Sequence, residues 1–447
     1  MRVFISAGEA SGDAYGASLV QNLTRMSEAR VDVRKRVFEI MHRELGPLEP
    51  FTPEGSFRRC WDVDSMEDLE FLLVLESEFG VSIPEDEISR WMTNEDVVRS
   101  VRSRVSETFS PHFEGIGGAR MRAAGVQLYA DSSKWGAISI AQAVRVFVRV
   151  WSSLIRTKKH LRKGPSGLFI PIDFGFANIR LARFAKKNGW KVLYFVPPGS
   201  WRRDRQGKDI PIISDAVVTP FPWSADTLTK MGADAYWFGH PIKQLIAENQ
   251  SGEQERKTIA VLPGSRQHEL EMNLPLIAAS VQGITTDPLE FGLAPSLDVQ
   301  EFRKEWNRLA PGRSDIFTVG DTYGVLKRAK VGIICSGTAT LEAALCRCPM
   351  IVVYQISKAM QREVKLLRMK RPQFIALPNI ILNRMSVPEL AEAEGVTKEQ
   401  VQKALAELLN NDAVRRQQLA DFDELDTLLG PANAISKTAA LAINLFK

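Results

Sequence analysis

The first thirteen residues constrain the fold of this chain more than any other segment. They read MRVFISAGEASGD, in which Val3, Phe4 and Ile5 form a short apolar strand that leads through small residues into a predicted helix. A buried strand that opens this way is how open α/β sheets build ligand sites, because the first N–H groups of the helix point into the crevice. We therefore expect a parallel α/β sheet with a binding loop over residues 8–13.

Length and charge limit the class of protein. The chain has 447 residues, 45% of them hydrophobic, which predicts two to four domains with sizeable cores. The formal net charge is only +5, but residues 62–96 carry twelve acids against one base, and residues 156–163 carry five bases and no acid. The small net charge therefore results from an acidic module and a basic patch, and no nucleic-acid partner is expected.

Cysteines and apolar runs indicate the compartment. Cys60, Cys335, Cys346 and Cys348 do not make a disulfide framework in a chain of this length. The Cys346-x-Cys348 pair lacks a second ligand pair, so we expect buried thiols rather than a metal site. A core strand at the first residues and the lack of a long apolar run predict neither a signal segment nor a transmembrane helix. The expected location is cytoplasmic.

Strands and helices alternate in two series. The first resumes at about residue 113 and runs to about residue 239, and the second starts at residue 258 and ends in helices from residue 398. Strands that alternate with helices predict mainly parallel, doubly wound sheets. The expected fold class is α/β, with two Rossmann-like domains.

The stretch from 28 to 108 interrupts the first series and contains no clear strand. We predict three helices in it, over residues 32–45, 65–80 and 94–104. The second helix is expected to turn four leucines inward, Leu69, Leu72, Leu73 and Leu75. Thr93-x-x-Asp96 predicts a capping box at the start of the third helix. The stretch is therefore interpreted as a small all-α domain spliced into a loop.

Two loops of the second series are candidates for an anion site. LPGSR at 262–266 follows a strand, and the planar fork of Arg266 suits a phosphate. SGTATLE at 336–342 follows another strand and opens a helix whose first N–H groups favour a diphosphate. Glu342 on that helix would accept hydrogen bonds from ribose hydroxyls. Each loop alone is also an ordinary strand-to-helix connection, but together they favour a nucleotide-sugar site.

Six segments in order resemble the lipid-A-disaccharide synthase family, inverting glycosyltransferases of the GT-B architecture. They are SAGEASGD at 6–13, GIGGARMRAAG at 115–125, FGHP at 238–241, LPGSR at 262–266, SGTATLEAAL at 336–345 and LPNI at 377–380 with Arg384. The resemblance covers most of residues 1–26 and 111–447. It implies transfer of 2,3-diacylglucosamine from UDP to 2,3-diacylglucosamine 1-phosphate, which gives a β-1,6-linked lipid A disaccharide and UDP without a metal or other cofactor.

The resemblance also implies domains and site residues. Residues 1–27 and 109–238 would form the acceptor domain, 28–108 the insertion and 239–414 the UDP-sugar donor domain, with a C-terminal helix of about 415–447 packed back on the first domain. The UDP-binding residues would be Ser265, Arg266, Ser336, Gly337, Thr338, Glu342, Asn379 and Arg384. The acceptor-side loops would contribute Gly8, Ser11, Gly12, Asp13 and Asn178.

One motif departs from the family pattern. Where the family has Ile-Asp-x-Pro-Asp-Phe-Asn, this chain reads IDFGFAN at 172–178, so the aspartate expected to act as the base has become Phe176. The acceptor hydroxyl must lose a proton as it attacks, which requires a base within hydrogen-bond reach. Asp173 is the first candidate and Glu9 the second. The alternative is that Asp173 only caps its turn.

These departures leave other functions open. The family's Tyr-Val-Ser-Pro-x-x-Trp is also altered, to YFVPPGSW at 194–201. A catalytically inactive paralogue that binds a lipid or a UDP-sugar is one alternative. A related glycosyltransferase with another acceptor is the second.

The insertion carries a resemblance of its own. DSMEDLEF at 64–71, followed by LESEFGVSIPEDE at 75–87, resembles an acyl carrier protein around its phosphopantetheine serine. The resemblance implies 4'-phosphopantetheine on Ser65, and a phosphopantetheinyl transferase or acyl transferases as partners. The alternative is that Ser65 is only a helix N-cap, with Asp68 three residues on.

An apolar stretch followed by bases over 135–163 predicts contact with an anionic membrane surface. The residues expected to make it are Trp135, Phe147, Trp151, Lys158 and Lys159. The alternative is a core helix with a solvated basic end. With acylated substrates, the membrane reading places the protein peripherally on the inner face of the cytoplasmic membrane.

Overall fold

The computed structural model describes residues 1–46, 52–57, 61, 65–105, 110–133, 135, 140–249, 255–295, 297–355, 373–391 and 395–446, without the side chains at 30, 31, 65, 66 and 140–146. The chain divides into two compact units. The first comprises Met1–Trp135, Val146–Pro241 and Asn433–Lys447, and the second comprises Gly136–Arg145 and Ile242–Ala432.

The first unit is built on a seven-stranded parallel sheet in the order β3-β2-β1-β4-β5-β6-β7. The strands are β1 (Arg2–Ala7), β2 (His112–Gly117), β3 (Gln127–Asp131), β4 (Leu168–Ile172), β5 (Lys191–Phe195), β6 (Ala216–Val218) and β7 (Ala235–Tyr236). Val3 on β1 pairs with Phe113 on one side and Leu168 on the other. β4 is buried along its whole length and β1 from Val3 to its end, as expected for a parallel sheet with helices on both faces.

Helices cover this sheet. They are Ala10–Val31, Ala119–Ala123, residues 146–161 of the helix Ile140–Leu161, Gly175–Lys187, Ile210–Ile213, Pro222–Lys230 and Ala434–Phe446. The last of them packs against the first, where Ser436 Oγ donates to Asn22 Oδ1 at 2.9 Å. Phe4, Phe169 and Tyr194 are fully buried in the core between sheet and helices.

The insertion forms a helical layer with its own core. Its helices are Val33–Glu44, Ser65–Phe79, the short 3₁₀ helix Glu85–Arg90, and Asn94–Arg104. Phe57, Trp61 and Phe71 are almost fully buried in a cluster separate from that of the sheet. The three predicted helices are confirmed within one or two residues. The capping box is confirmed as well, because Thr93 Oγ1 accepts from Asp96 N and Asp96 Oδ2 accepts from Thr93 N.

The expectation that all four leucines of the second helix turn inward is wrong for two of them. Leu72 and Leu75 are buried, but Leu69 is 41% and Leu73 51% exposed. The reason is helical periodicity: Phe71, Leu72 and Leu75 define the buried face, and residues at 69 and 73 lie on the other side.

Much of the acidic charge of the insertion is paired inside it. Five of the twelve acids in residues 62–96 form ion pairs with arginines of the same helical layer, Glu78 with Arg36, Asp86 with Arg90, Glu87 with Arg104, Glu95 with Arg34 and Asp96 with Arg99. The acid-rich sequence is therefore partly a structural feature of the layer.

The second unit contains a six-stranded parallel sheet in the order β10-β9-β8-β11-β12-β13. The strands are β8 (Thr258–Leu262), β9 (Leu289–Leu293), β10 (Ile316–Val319), β11 (Ala329–Cys335), β12 (Met350–Val353) and β13 (Glu389–Leu390). Its helices are Pro241–Glu248, Gln267–Val281, Val299–Leu309, Thr322–Arg328, Thr338–Leu345, Leu377–Leu382, Lys398–Asn410 and Asp412–Leu428.

The predicted α/β class with two Rossmann-like parallel sheets is confirmed. One boundary needs correction. The prediction placed the whole segment from about residue 415 on the first domain, but the helix Asp412–Leu428 belongs to the second unit. It contacts the helices Thr338–Leu345 and Leu377–Leu382 there, whereas the helix Ala434–Phe446 belongs to the first unit and packs on Ala10–Val31.

Candidate functional site

In the first unit, the loops after β1 and β4 touch. Ala7 and Ile172 are paired at the carboxyl ends of these neighbouring strands. A Cβ placed on Gly8 would lie 2.1 Å from Cγ of Phe174, so the ring of Phe174 fills the space that any larger residue at position 8 would need. The structure therefore brings the Gly8–Glu9 turn and the Asp173 turn together at one edge of the sheet.

Asn178 holds these two strand ends in place. It is fully buried, its Oδ1 accepts from Ser6 Oγ at 2.6 Å, and its Nδ2 lies 2.9 Å from each of the carbonyl oxygens of Ser6, Ile172 and Asp173. Because its polar groups are used inside the protein, Asn178 positions the loop and does not present a free amide to a ligand.

Asp173 is the half-buried acid at this edge. It and Phe174 both adopt left-handed backbone conformations, with φ of 47° and 44°, a costly geometry for non-glycine residues that concentrates at functional sites. Its carbonyl accepts from the buried hydroxyl of Tyr194 at 3.2 Å. Burial, with a smaller contribution from the negative charge of Glu9, raises the pKa of Asp173 to about 6. Glu9 is itself exposed.

The other predicted residues of the acceptor-side loops have structural contacts. The Asp13 carboxylate is buried and accepts the backbone N–H groups of Gly118, Arg120 and Met121, so it caps the helix Ala119–Ala123. Gly12 is buried against β1 and β4, because a Cβ there would lie 3.3 Å from Cβ of Ala7. Ser11 is half-buried at the first turn of the helix Ala10–Val31.

Phe176 extends an exposed aromatic surface. Its side chain is 40% exposed, and its ring lies 5.8 Å from that of Phe147, which stacks on Trp151 at 5.6 Å. Val148 and Ile155 are also exposed on the helix Ile140–Leu161, which carries Phe147 and Trp151. We call Phe147, Val148, Trp151, Ile155 and Phe176 the apolar patch.

Trp135 does not belong to this patch, and the prediction that it contacts a membrane is wrong. It is only 7% exposed and packs against Phe174 with ring centroids 5.6 Å apart. Of the two predicted lysines, Lys159 is exposed, whereas Lys158 is half-buried with its Nζ 5.6 Å from the centroid of the Phe184 ring. Across the described residues, no helix combines the length and apolarity needed to cross a bilayer.

In the second unit, the loop after β8 is closed by a carboxylate of its own chain. Glu269 Oε2 accepts the N–H groups of Ser265 at 2.8 Å and Arg266 at 3.1 Å, and Glu269 Oε1 lies 3.3 Å from Nη1 of Arg266. Gly264 has φ of 116°, and a Cβ on it would lie 2.5 Å from Glu269. The backbone N–H groups expected to meet an anion are thus occupied, while the half-exposed guanidinium of Arg266 stays accessible.

The loop after β11 lies beside it, because β8 and β11 are neighbours in the sheet. Gly337 precedes the helix Thr338–Leu345 with φ of 143°, and the space where its Cβ would be is open. Ser336 Oγ donates to the carbonyl of Ile375 at 2.9 Å, and Glu342 accepts from the hydroxyl of Tyr323 at 3.2 Å. The predicted Ser336, Gly337 and Thr338 therefore form an open helix N-terminus next to the Arg266 loop.

Asn379 and Arg384 are engaged elsewhere in this unit. Asn379 is fully buried, and its amide bonds the backbone of Ser386 and Val387 and the carboxylate of Glu389. Arg384 lies between Asp421 and Glu424, which raise the pKa of its guanidinium above the ordinary value. Their assignment to UDP stays a prediction.

Sequence reasoning missed three residues near the Arg266 loop. Glu269 follows Arg266 by three positions, and that capping-box spacing was a usable signal. Tyr354 and His268 gave no such signal. Burial raises the pKa of Tyr354 and lowers that of His268, which favours a neutral imidazole beside Arg266.

The expectation of buried thiols is confirmed for three of the four cysteines. Cys335, Cys346 and Cys348 are free and buried, and burial raises the pKa of each to about 12. Cys60 lies outside the described residues. Within the parts of the chain that the structure describes, no three His, Cys, Asp or Glu residues gather in a way that would hold a metal ion.

The family model and the curated relatives agree on one family. A family model described as Lipid-A-disaccharide synthetase matches residues 84–443. A lipid-A-disaccharide synthase of Synechocystis sp. is 26% identical over 386 residues, 80% of this chain and 96% of that protein. One of Syntrophus aciditrophicus is 28% identical over 350 residues, 75% and 90% of the two chains. The solved UDP-GlcNAc 2-epimerase of Neisseria meningitidis is 10% identical; the match covers 74% of this chain and 91% of that one, with a TM-score of 0.47.

Proposed function

Because this chain belongs to the lipid-A-disaccharide synthetase family, we propose that it transfers 2,3-diacylglucosamine from UDP to 2,3-diacylglucosamine 1-phosphate. The products are a β-1,6-linked lipid A disaccharide and UDP. The observation that carries the proposal is the family match over residues 84–443, which includes both loops of the second unit and the Asp173 turn.

The base of this reaction is Asp173. A carboxyl with a pKa of about 6 is mostly ionised at neutral pH, yet is more basic than an ordinary aspartate. In the transfer, the acceptor hydroxyl gives its proton to Asp173 as its oxygen bonds to C1 of the donor sugar. The bond from C1 to the diphosphate breaks, and UDP leaves. Glu9 is the second candidate, and its charge helps to tune Asp173.

The leaving diphosphate is held by the second unit. Arg266 supplies a positive charge, and the N-terminus of the helix Thr338–Leu345 supplies N–H groups and the favourable end of the helix dipole. Both stabilise the charge that develops on the leaving group. The backbone N–H groups of Ser265 and Arg266 already donate to Glu269. The diphosphate is therefore bound by the Arg266 guanidinium and the helix N-terminus, or it competes with that carboxylate for the loop.

An inactive paralogue is the main competing function. It is suggested by Phe176, which stands where the family has an acid. The raised pKa of Asp173 and the strained turn that carries it favour an active enzyme instead. The test is to incubate purified protein with both substrates and look for the disaccharide by mass spectrometry. UDP binding without disaccharide would favour the inactive binder, and transfer to a different acceptor would favour a related transferase.

Location and modification are further parts of the proposal. The protein is proposed to lie peripherally on the inner face of the cytoplasmic membrane, where acylated substrates reside. The exposed apolar patch and the exposed Lys159 support this location. The insertion acts as a carrier with 4'-phosphopantetheine on Ser65. Two observations support this. The helix Ser65–Phe79 begins at this serine. Leu69 and Leu73 follow it at intervals of four residues, so they lie on the same face of the helix, and their exposed side chains are accessible to a partner enzyme.

A further inference from the structure

A basic loop leaves the first-unit sheet at the same edge as the Asp173 turn. The loop spans residues 201–208 and follows β5. The Asp173 N–H lies 3.3 Å from the carbonyl oxygen of Phe195 and 3.1 Å from that of Val196. A Cβ on Gly175 would lie 2.9 Å from Cγ of Pro198. The segment that leads into the basic loop is therefore packed against the candidate base.

The loop concentrates positive charge. It reads WRRDRQGK, with four cations and one acid. The acid, Asp204, lies 3.9 Å from Arg205, and both side chains are well exposed. Unlike Arg205, Arg202 and Arg203 each lie over an indole ring. The guanidinium carbon of Arg202 is 5.0 Å from the ring centroid of Trp201. The guanidinium carbon of Arg203 is 3.9 Å from that of Trp223.

Both arginines sit on a braced support. Trp223 stacks on buried Phe221 at 4.6 Å. Gln206 Nε2 donates to the carbonyl of Arg202 at 2.7 Å, and Ser224 Oγ donates to Gln206 Oε1 at 3.1 Å. Stacking on an indole holds each guanidinium in place. The planar fork of its N–H groups matches the geometry of a phosphate.

We propose that Arg202 and Arg203 bind the phosphate of the sugar-phosphate acceptor. This inference rests on the proposed function and assigns a subsite within it. A phosphate dianion is repelled by Asp173 and Glu9 and attracted by the two arginines. The reacting hydroxyl and the phosphate are on different carbons of the acceptor sugar. The charge pattern of this edge therefore orients the hydroxyl toward Asp173 and the phosphate toward the loop, which makes Arg202 and Arg203 determinants of specificity for a phosphorylated acceptor.

The test compares two ligands on the full-length protein. Binding of 2,3-diacylglucosamine 1-phosphate and of its dephosphorylated form, both in detergent micelles, is measured by calorimetry for the wild type, for Arg202→Gln/Arg203→Gln and for Arg205→Gln. The wild type is expected to prefer the phosphorylated ligand at least tenfold. The double variant is expected to lose that preference and to bind the dephosphorylated ligand as before, while Arg205→Gln keeps the preference. The variants Arg202→Lys and Arg203→Lys are expected to retain part of it.

The outcomes that contradict the phosphate subsite can be distinguished from one another and from a failure of the proposed function. A wild type without a phosphate preference, or a double variant that keeps it, overturns the subsite. If the double variant instead detaches from anionic vesicles in flotation while the preference stays intact, the loop is a membrane contact and the subsite is wrong. The transfer reaction, run on the same wild-type preparation with both substrates, reports the proposed function separately. An active wild type whose double variant keeps the phosphate preference disproves the subsite alone.

Discussion

The Phe174 ring occupies the position that a side chain at Gly8 would need, with Cγ only 2.1 Å from where the Cβ would be. This contact ties the turn that carries Glu9 to the turn that carries Asp173. It explains why a glycine follows β1: the small residue admits the neighbouring turn, whose backbone then holds the acid.

Gly8→Ala is expected to destabilise the fold by about 1–3 kcal/mol, the usual cost of overpacking. The added methyl displaces Phe174 and with it the Asp173 turn, so the transfer rate should fall as well. Urea denaturation and initial-rate measurements check this. The double variant Gly8→Ala/Phe174→Leu should recover part of the stability. Additive losses in the double variant would contradict the steric explanation.

Asp173→Asn is expected to lower turnover by roughly 10²–10⁴-fold, because the amide cannot accept the proton. In the wild type, activity should rise with pH through about 6, the pKa of the folded state, as the carboxylate forms. The variant should lack this limb in a pH–rate profile. If Asp173→Asn stays active and Glu9→Gln is inactive, their roles are reversed.

The same pKa predicts a stability effect of defined sign. It is raised above its ordinary value of 3.8, so the folded state binds more protons than the unfolded state in the window up to about 6. The contribution of Asp173 is therefore most favourable below that window and is lost as the pH rises through it. Chemical denaturation at pH values of about 4.5 and about 7, on either side of the folded-state pKa, should show a smaller loss of stability for Asp173→Asn than for the wild type.

Arg266→Ala is expected to weaken UDP binding by about 1.5–3 kcal/mol, the range for a charged hydrogen bond. Calorimetric titration with UDP measures it. Arg308→Ala is a matched control, since Arg308 is an exposed arginine of the same unit whose partner is Glu305 three residues before it. Equal UDP affinity for the wild type and Arg266→Ala would remove Arg266 from the donor site.

Phe147→Ser/Trp151→Ser is expected to release the protein from anionic vesicles. Each aromatic side chain contributes about 1.5–3 kcal/mol when fully buried, so the double change should lower partitioning at least tenfold by order of magnitude. Flotation with vesicles of anionic phospholipid checks this. Ile212→Ser is the control, because Ile212 is 74% exposed outside the patch. Unchanged flotation of a folded double variant would exclude the apolar patch as the contact.

Co-expression with a broad-specificity phosphopantetheinyl transferase is expected to add one phosphopantetheine arm, seen as an intact-mass gain that Ser65→Ala abolishes. Ion pairs within the insertion already explain part of its acidic sequence, so this part does not require a partner protein. The measurement therefore decides between modification and capping. Protein that stays unmodified, with Ser65→Ala merely less stable by about 1 kcal/mol, would establish the helix cap.

The helices and strands were largely predictable because their signals are local. The apolar run at Val3–Ile5, the loops at Arg266 and Ser336 and the capping box at Thr93 depend on residues close in sequence. Parallel pairing then fixes which loops share an edge, and the neighbouring Arg266 and Ser336 loops follow from β8 beside β11. Order along the chain was enough for this much of the candidate site.

Burial and partners were decided by the tertiary structure. Trp135 and Trp151 are the same residue type in one apolar stretch, yet the first packs on Phe174 and the second is 44% exposed. Which way a side chain faces depends on the elements packed around it, and the sequence pattern does not contain them.

The sequence by itself determined the two parallel α/β units, the inserted helices and the positions of the acids and glycines. Only the tertiary structure decided what those groups do. It placed the carboxylate of Glu269 on the N–H groups of the Arg266 loop, buried Asn178 between two strand ends, and desolvated Asp173 beside the charge of Glu9. The physical reason is that secondary structure follows local periodicity, whereas a pKa, a hydrogen-bond partner or an exposed face depends on groups that are distant in the chain and meet only on folding.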